Sequence, residues 1–113
     1  MPDDSLVIAQ RKLQQLRDDV RLKHKRLRIT THAQEEAAKD GLFLKELRQA
    51  FENGRLLEYY PEQDRFLLVA ETAEIATPFH VVIESTSQAG VIVTAYVPDK
   101  RRWLPFSRRR PNR

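Results

Sequence analysis

Two histidines stand in strings whose geometry can be read from the sequence: Thr30-Thr31-His32-Ala33 and Phe79-His80-Val81-Val82-Ile83. A histidine can move a proton near neutral pH, so the two could share general acid–base work. Thr94 and Tyr96 follow in a later alternating run and add two hydroxyls. Arg55 and Arg65 flank a turn beside Tyr59 and Tyr60, and arginine next to tyrosine can hold a phosphate and stack a base. Together these types suggest proton transfer beside a bound phosphate. His24 lies in a Lys-His-Lys-Arg stretch and reads as a solvated side chain.

The elements around each group decide where it points. Thr31 fits a helix N-cap, and Gln34 three residues on would complete a capping box. His32 would then open a helix running to about Asp40, with Gly41 in the left-handed position behind it. At that helix mouth the ring would face the positive end of the helix dipole. Arg28-Ile29-Thr30 could form a short edge strand just before it. A second short helix spans Leu44 to Asn53, on the stripe Leu44, Leu47 and Phe51, and Gly54 ends it.

From Arg55 the apolar period changes from helical to alternating. Strands are expected over Arg55–Tyr60, Arg65–Glu71, Phe79–Ser85 and Val91–Val97, joined as an antiparallel meander. Phe79, Val81 and Ile83 form one apolar face, and Val91, Val93, Ala95 and Val97 another. Burying both on one side requires a hairpin centred near Gln88, since a slip of one residue turns a face outward. That register sets His80 opposite Tyr96, with Thr94 diagonal to it and Glu84 further along. The competing reading is structural: His80 and Tyr96 as a cross-strand packing pair, and His32 as a helix-start residue bonded to a carbonyl.

Before all of this comes one long amphipathic helix over residues 5–27, with Ser5 as its cap. Leu6, Leu13, Val20 and Leu27 repeat every seven, and Ala9 and Leu16 fill the alternate stripe. Such a stripe either packs on its own domain or pairs two chains as a short coiled coil. Gln10, Arg11, Lys12 and Arg17 are assigned to a solvated face. The fold class is therefore α+β: a long N-terminal helix, two short helices, then a four-stranded antiparallel sheet.

Length and charge bound the rest. A chain of 113 residues supports one domain with one modest core. It has no cysteine, which excludes disulfides and thiol chemistry, and its three histidines show no metal-ligand spacing. No apolar run approaches the roughly 20 residues of a membrane span, and the acidic N-terminus does not read as a signal peptide, so a cytoplasmic protein without membrane contact is expected. The net charge of +4 is unevenly spread. Residues 1–30 carry a net +4, residues 31–99 a net −7, and residues 100–113 seven basic groups with no acid. A nucleic-acid partner would be held mainly by the ends. Trp103 and Phe106 stand within that basic C-terminal run, and residues 105–113 read as a disordered tail. The organisation expected is a helix over 1–27, an α+β domain over 28–104 and the tail.

An ordered set of short strings carries a resemblance. Ile29-Thr30-Thr31-His32-Ala33, Glu52-Asn53-Gly54-Arg55, Glu58-Tyr59-Tyr60-Pro61, Pro78-Phe79-His80-Val81-Val82 and Val91 to Asp99 with Trp103 occur in this sequence. The set resembles the bacterial domain of unknown function 4258, over about residues 28–103. That family is similar in layout to the RelE-like and barnase-like small ribonucleases, many of them toxins. The resemblance implies a metal-independent endoribonuclease that uses the RNA 2′-hydroxyl as nucleophile and needs no cofactor. It implies His32 and His80 as acid–base groups, with Tyr96 beside them. It implies Arg55 as phosphate holder, with Thr94 and Tyr96 lining the site; the turn reading adds Tyr59 and Arg65 as substrate-binding residues. An antitoxin or other protein would be the partner. Two features depart from the pattern: the acidic middle of the chain, and a second helix that starts at Gly41-Leu42-Phe43-Leu44 without a Ser or Thr cap. The alternative is a non-enzymatic regulatory or interaction module that dimerises through the N-terminal helix.

Overall fold

A computed structural model describes residues 4–72 and 77–98, with side chains from residue 6. Trp103, Phe106 and the basic tail lie outside the described residues. The order is α1 (Asp4–Arg21), β1 (Arg26–Ile29), α2 (Thr31–Lys39), α3 (Leu44–Asn53), β2 (Arg55–Tyr60), β3 (Arg65–Ala70), β4 (Phe79–Ser85) and β5 (Ala89–Tyr96). Among the described residues no helix is long and apolar enough to cross a membrane.

The class is α+β as expected, but the sheet is larger and mixed. Five strands run in the order β1-β5-β4-β3-β2. β2 to β5 form the antiparallel meander, and β1 adds to β5 in parallel. The reason lies in residues 22–29. The first helix stops at Arg21 rather than running to residue 27. Lys23 takes a left-handed turn (φ 67°), and Leu27 goes to the edge strand, where it and Ile29 pack on the core. Arg26 and Arg28 alternate onto the other face.

All three helices lie on one face of the sheet. Leu13 and Leu16 of α1, Ala33 and Ala37 of α2, and Leu47, Ala50 and Phe51 of α3 join Phe66, Leu68, Phe79, Val81, Ile83, Ile92 and Ala95 in one cluster. Most of the heptad stripe of α1 is therefore used inside its own domain. Leu6, Val7 and Ile8, at its start, remain exposed. Arg17 is half-buried rather than part of a solvated face. Its guanidinium donates to the carbonyls of Phe51 (2.8 Å) and Gly54 (2.7 Å), so it caps the end of α3, and burial lowers its pKa.

The helix ends explain themselves locally. Thr30, not Thr31, caps α2: its hydroxyl accepts from the Ala33 amide at 2.9 Å. Gln34 donates instead to the carbonyl of Ile29, so the capping box is not formed. Gly41 has a φ of 78°, the left-handed conformation expected of it. α3 starts without a Ser or Thr because Glu46 reaches back to accept from the Phe43 amide at 2.7 Å. Gly54 serves a different need: a Cβ there would sit 2.6 Å from the Ala50 carbonyl oxygen and 3.1 Å from Leu68.

Candidate functional site

Strand pairing decides which side chains share a face, because residues directly opposite in a ladder point the same way. Arg55 pairs with Val69, Val69 with His80, and His80 with Tyr96. These four residues form one row across β2, β3, β4 and β5. Phe79 and Val81, on either side of His80, point into the helix-covered core. The row therefore lies on the opposite face, on which none of the three helices packs. The next row is Glu58, Leu67, Val82 and Thr94; the one beyond is Tyr60, Arg65, Glu84 and Val91.

Three of the expected site residues thus converge in one line, and Thr94 stands in the neighbouring row. His80 is fully buried. Its Nδ1 lies 3.4 Å from the Tyr96 hydroxyl, and the two rings meet edge to face with centroids 5.4 Å apart. Tyr96 and Thr94 are half-buried and Arg55 is exposed. Adjacent strands are roughly 4.8 Å apart, so Arg55 starts about two strand spacings from His80, within reach of its long side chain.

The register was legible only for the upper half of the hairpin. His80–Tyr96 and Val81–Ala95 pair about Gln88 as expected, but a bulge after Val82 then sets Ile83 against Ile92. Val93 is the extra residue. Below it the faces exchange: Ile92 enters the core, and Val91 joins the helix-free face instead of the apolar face expected for it.

Three other candidates stand elsewhere or are already engaged. His32 is exposed in the first turn of α2, in the helix layer. The structure does not bring it into the His80 row. Tyr59 points to the helix side, where it packs on Phe66 (centroids 4.9 Å) and donates to Asp64 at 2.6 Å. The Lys12 ammonium lies 5.7 Å from its ring centre. Burial and the Asp64 hydrogen bond raise the Tyr59 pKa. Arg65 is on the helix-free face, but its guanidinium is held by Glu84 at 2.8 Å.

Two pairings on this face were not expected from the sequence. The Tyr60 hydroxyl donates to the Glu58 carboxylate. Glu84 neutralises Arg65. Their signal was the strand alternation, which a bulge after Leu56 interrupts.

A helix layer on one side of a mixed sheet, with polar side chains gathered on the other, defines a small α+β domain. The family model described as Domain of unknown function (DUF4258) matches residues 29–97, and the chain belongs to that family. No curated protein and no solved structure matches it.

Proposed function

We propose that this chain is an RNA-binding domain of the RelE-like layout, with the helix-free sheet face as its binding surface. The observation supporting it is the single row Arg55, Val69, His80 and Tyr96. Arg55, exposed at one end, holds a phosphate by a forked, charge-assisted contact. Thr94 and Tyr96 offer hydroxyls to the sugar. Arg65 shapes the surface through Glu84 rather than meeting the ligand. The basic tail adds attraction that is independent of sequence.

Metal-independent RNA cleavage is the catalytic extension of this reading. One group of the His80–Tyr96 pair takes the proton from the 2′-hydroxyl as its oxygen attacks the adjacent phosphorus. The 5′-oxygen leaves and is protonated by the other. Since His80 is fully buried, RNA reaches it only if this face opens on binding. His32 stands in the helix layer, so Tyr96 is the nearer partner for proton transfer.

The test is binding and cleavage of a labelled single-stranded RNA by the full chain. Arg55→Gln is expected to weaken binding about tenfold, the loss of one good charged contact. Unchanged affinity would remove Arg55 from the surface. If RNA is cut, His80→Ala abolishes cutting and His32→Ala spares it. The reverse pattern would move the chemistry to the helix layer.

The second reading is an interaction module, and the exposed Leu6, Val7 and Ile8 favour it. Deleting residues 1–8 would then lower the mass seen in light scattering. An unchanged mass would end the dimer reading.

A further inference from the structure

A polar cleft of about 500 Å³ opens between the turn after α1 and the hairpin of residues 86–89. Lys23, His24, Lys25, Arg26 and Arg28 line one wall, and Thr86, Ser87 and Gln88 belong to the other. We infer that this cleft binds the phosphate backbone of an RNA strand, as a second anchor on the sheet edge opposite Arg55. The inference deepens the RNA reading above and rests on it.

Four observations carry it. First, the cations are available. Among the described residues Lys23, Lys25, Arg26 and Arg28 make no ion pair. Asp18 holds Arg21 and Glu84 holds Arg65; Asp19 accepts from the Gln15 amide at 3.0 Å and lies 3.7 Å from His24, so it offsets one charge of the wall. Four cations against one carboxylate leave the concavity net positive, and an anion relieves the repulsion among them.

Second, the walls are fixed to each other before any ligand arrives. The Arg26 amide donates to the Gln88 carbonyl at 3.1 Å. Across the hairpin, the Thr86 amide donates to the Ala89 carbonyl at 2.8 Å, and the Thr86 hydroxyl accepts from the Ala89 amide at 3.0 Å. A preformed cleft loses little freedom on binding.

Third, Lys23 holds a left-handed φ of 67°, where glycine is the usual residue. A charged side chain is kept at a strained position that lines the cleft. Such an outlier is a reason to look for function.

Fourth, the geometry suits a strand. Arg26 and Arg28 alternate onto the helix-free face of β1, so their side chains emerge about 6.6 Å apart, close to the spacing of successive phosphates on an extended nucleic-acid strand. Arg28 pairs with Val91, which pairs with Glu84 and so begins the row that ends at Tyr60. The cleft and the Arg55 row therefore border one continuous surface. A bilayer is flat and would not enter a cleft walled by a hairpin; the hydroxyl and amide side chains there suit a phosphate and a sugar.

The experiment uses the full chain, a labelled 20-nucleotide RNA and fluorescence anisotropy at several salt concentrations. Arg26→Gln with Arg28→Gln is compared with Arg55→Gln and with Arg26→Lys/Arg28→Lys, and circular dichroism checks that each is folded. The double Gln variant is expected to bind at least tenfold more weakly. Its salt slope should fall by about 1.4, since each phosphate contact to a single strand contributes roughly 0.7. The double Lys variant keeps the charge and should keep most of the slope. If the double Gln variant binds like wild type while Arg55→Gln is weakened, the cleft is overturned and the sheet-face reading stands. If only the double Gln variant is weakened, the cleft stands and the Arg55 row falls. Wild type that ignores RNA, or binds only vesicles containing phosphatidylserine, overturns both.

Discussion

The two faces of this sheet are built from the same strands and differ in content: one is wholly apolar, the other mixes apolar and polar side chains. Phe66, Leu68, Phe79, Val81, Ile83, Ile92 and Ala95 point to the helices and are all buried apolar groups. Their chain neighbours Arg65, Leu67, Val69, His80, Val82, Glu84, Thr94 and Tyr96 point away from the helices. On that side apolar residues hold the middle, and polar ones occupy the ends and the His80 row. Several are bound to one another: Arg65 to Glu84, Tyr60 to Glu58, and His80 beside Tyr96. Alternation lets one strand serve stability on one side and recognition on the other. A substitution in β3 or β4 should therefore report on one property or the other, according to parity.

The largest effect is expected on the covered face. Phe66→Ala should lower stability by about 3–5 kcal/mol in urea unfolding, through lost burial and the cavity left behind. A cost below about 1 kcal/mol would contradict the place of Phe66 in the core. Next comes the clamp that joins the helix layer. Arg17→Ala removes two charge-assisted bonds to the end of α3 and should cost about 2 kcal/mol. A neutral result would return Arg17 to the solvated face.

On the helix-free face the same ruler should read small. Glu84→Gln breaks a partly exposed pair with Arg65, so the loss should be under about 1 kcal/mol and shrink at high salt. A loss rivalling that of Phe66→Ala would erase the distinction between the faces. The smallest test concerns Tyr59, a hydroxyl at the rim of the covered face. Burial and Asp64 raise its pKa above the ordinary 10.0, so the fold favours the protonated phenol. That contribution is present below pH 10 and is lost as pH rises through the folded-state pKa. The stability gap between wild type and Tyr59→Phe should therefore hold up to about pH 10 and narrow as pH rises above it. A constant gap would mean that the phenol is not linked to folding.

Local signals in the sequence were good guides where local forces act. The stripe Leu44, Leu47 and Phe51 with Gly54 placed α3, since burial and a helix end are both short-range. The His80–Tyr96 pair followed from burying two apolar faces on one side. The same argument failed beyond Val82, because a bulge obeys packing rather than alternation. Arg28 and Ile29 of β1 were read as edge strand, but Arg26 and Leu27 as helix, since Leu27 continues a heptad; the parallel partner β5 is more than 60 residues away and leaves no local mark. Thr30 and Thr31 are chemically equivalent as caps, and only the backbone path selects Thr30. Of the candidate site, His80, Thr94 and Tyr96 were legible as neighbours. That Arg55 joins their line depends on three ladders in succession, two of them bulged.

Methyl NMR can test directly whether RNA meets the helix-free face. Leu67, Val69 and Val82 point to that face; Leu68, Val81 and Ile83, their partners in parity, point to the helices. Titrating the full chain with the 20-nucleotide RNA should shift the methyl signals of the first three and leave those of the second three in place. RNA binding that leaves Leu67, Val69 and Val82 unmoved, or that moves Leu68, Val81 and Ile83 instead, would contradict that contact.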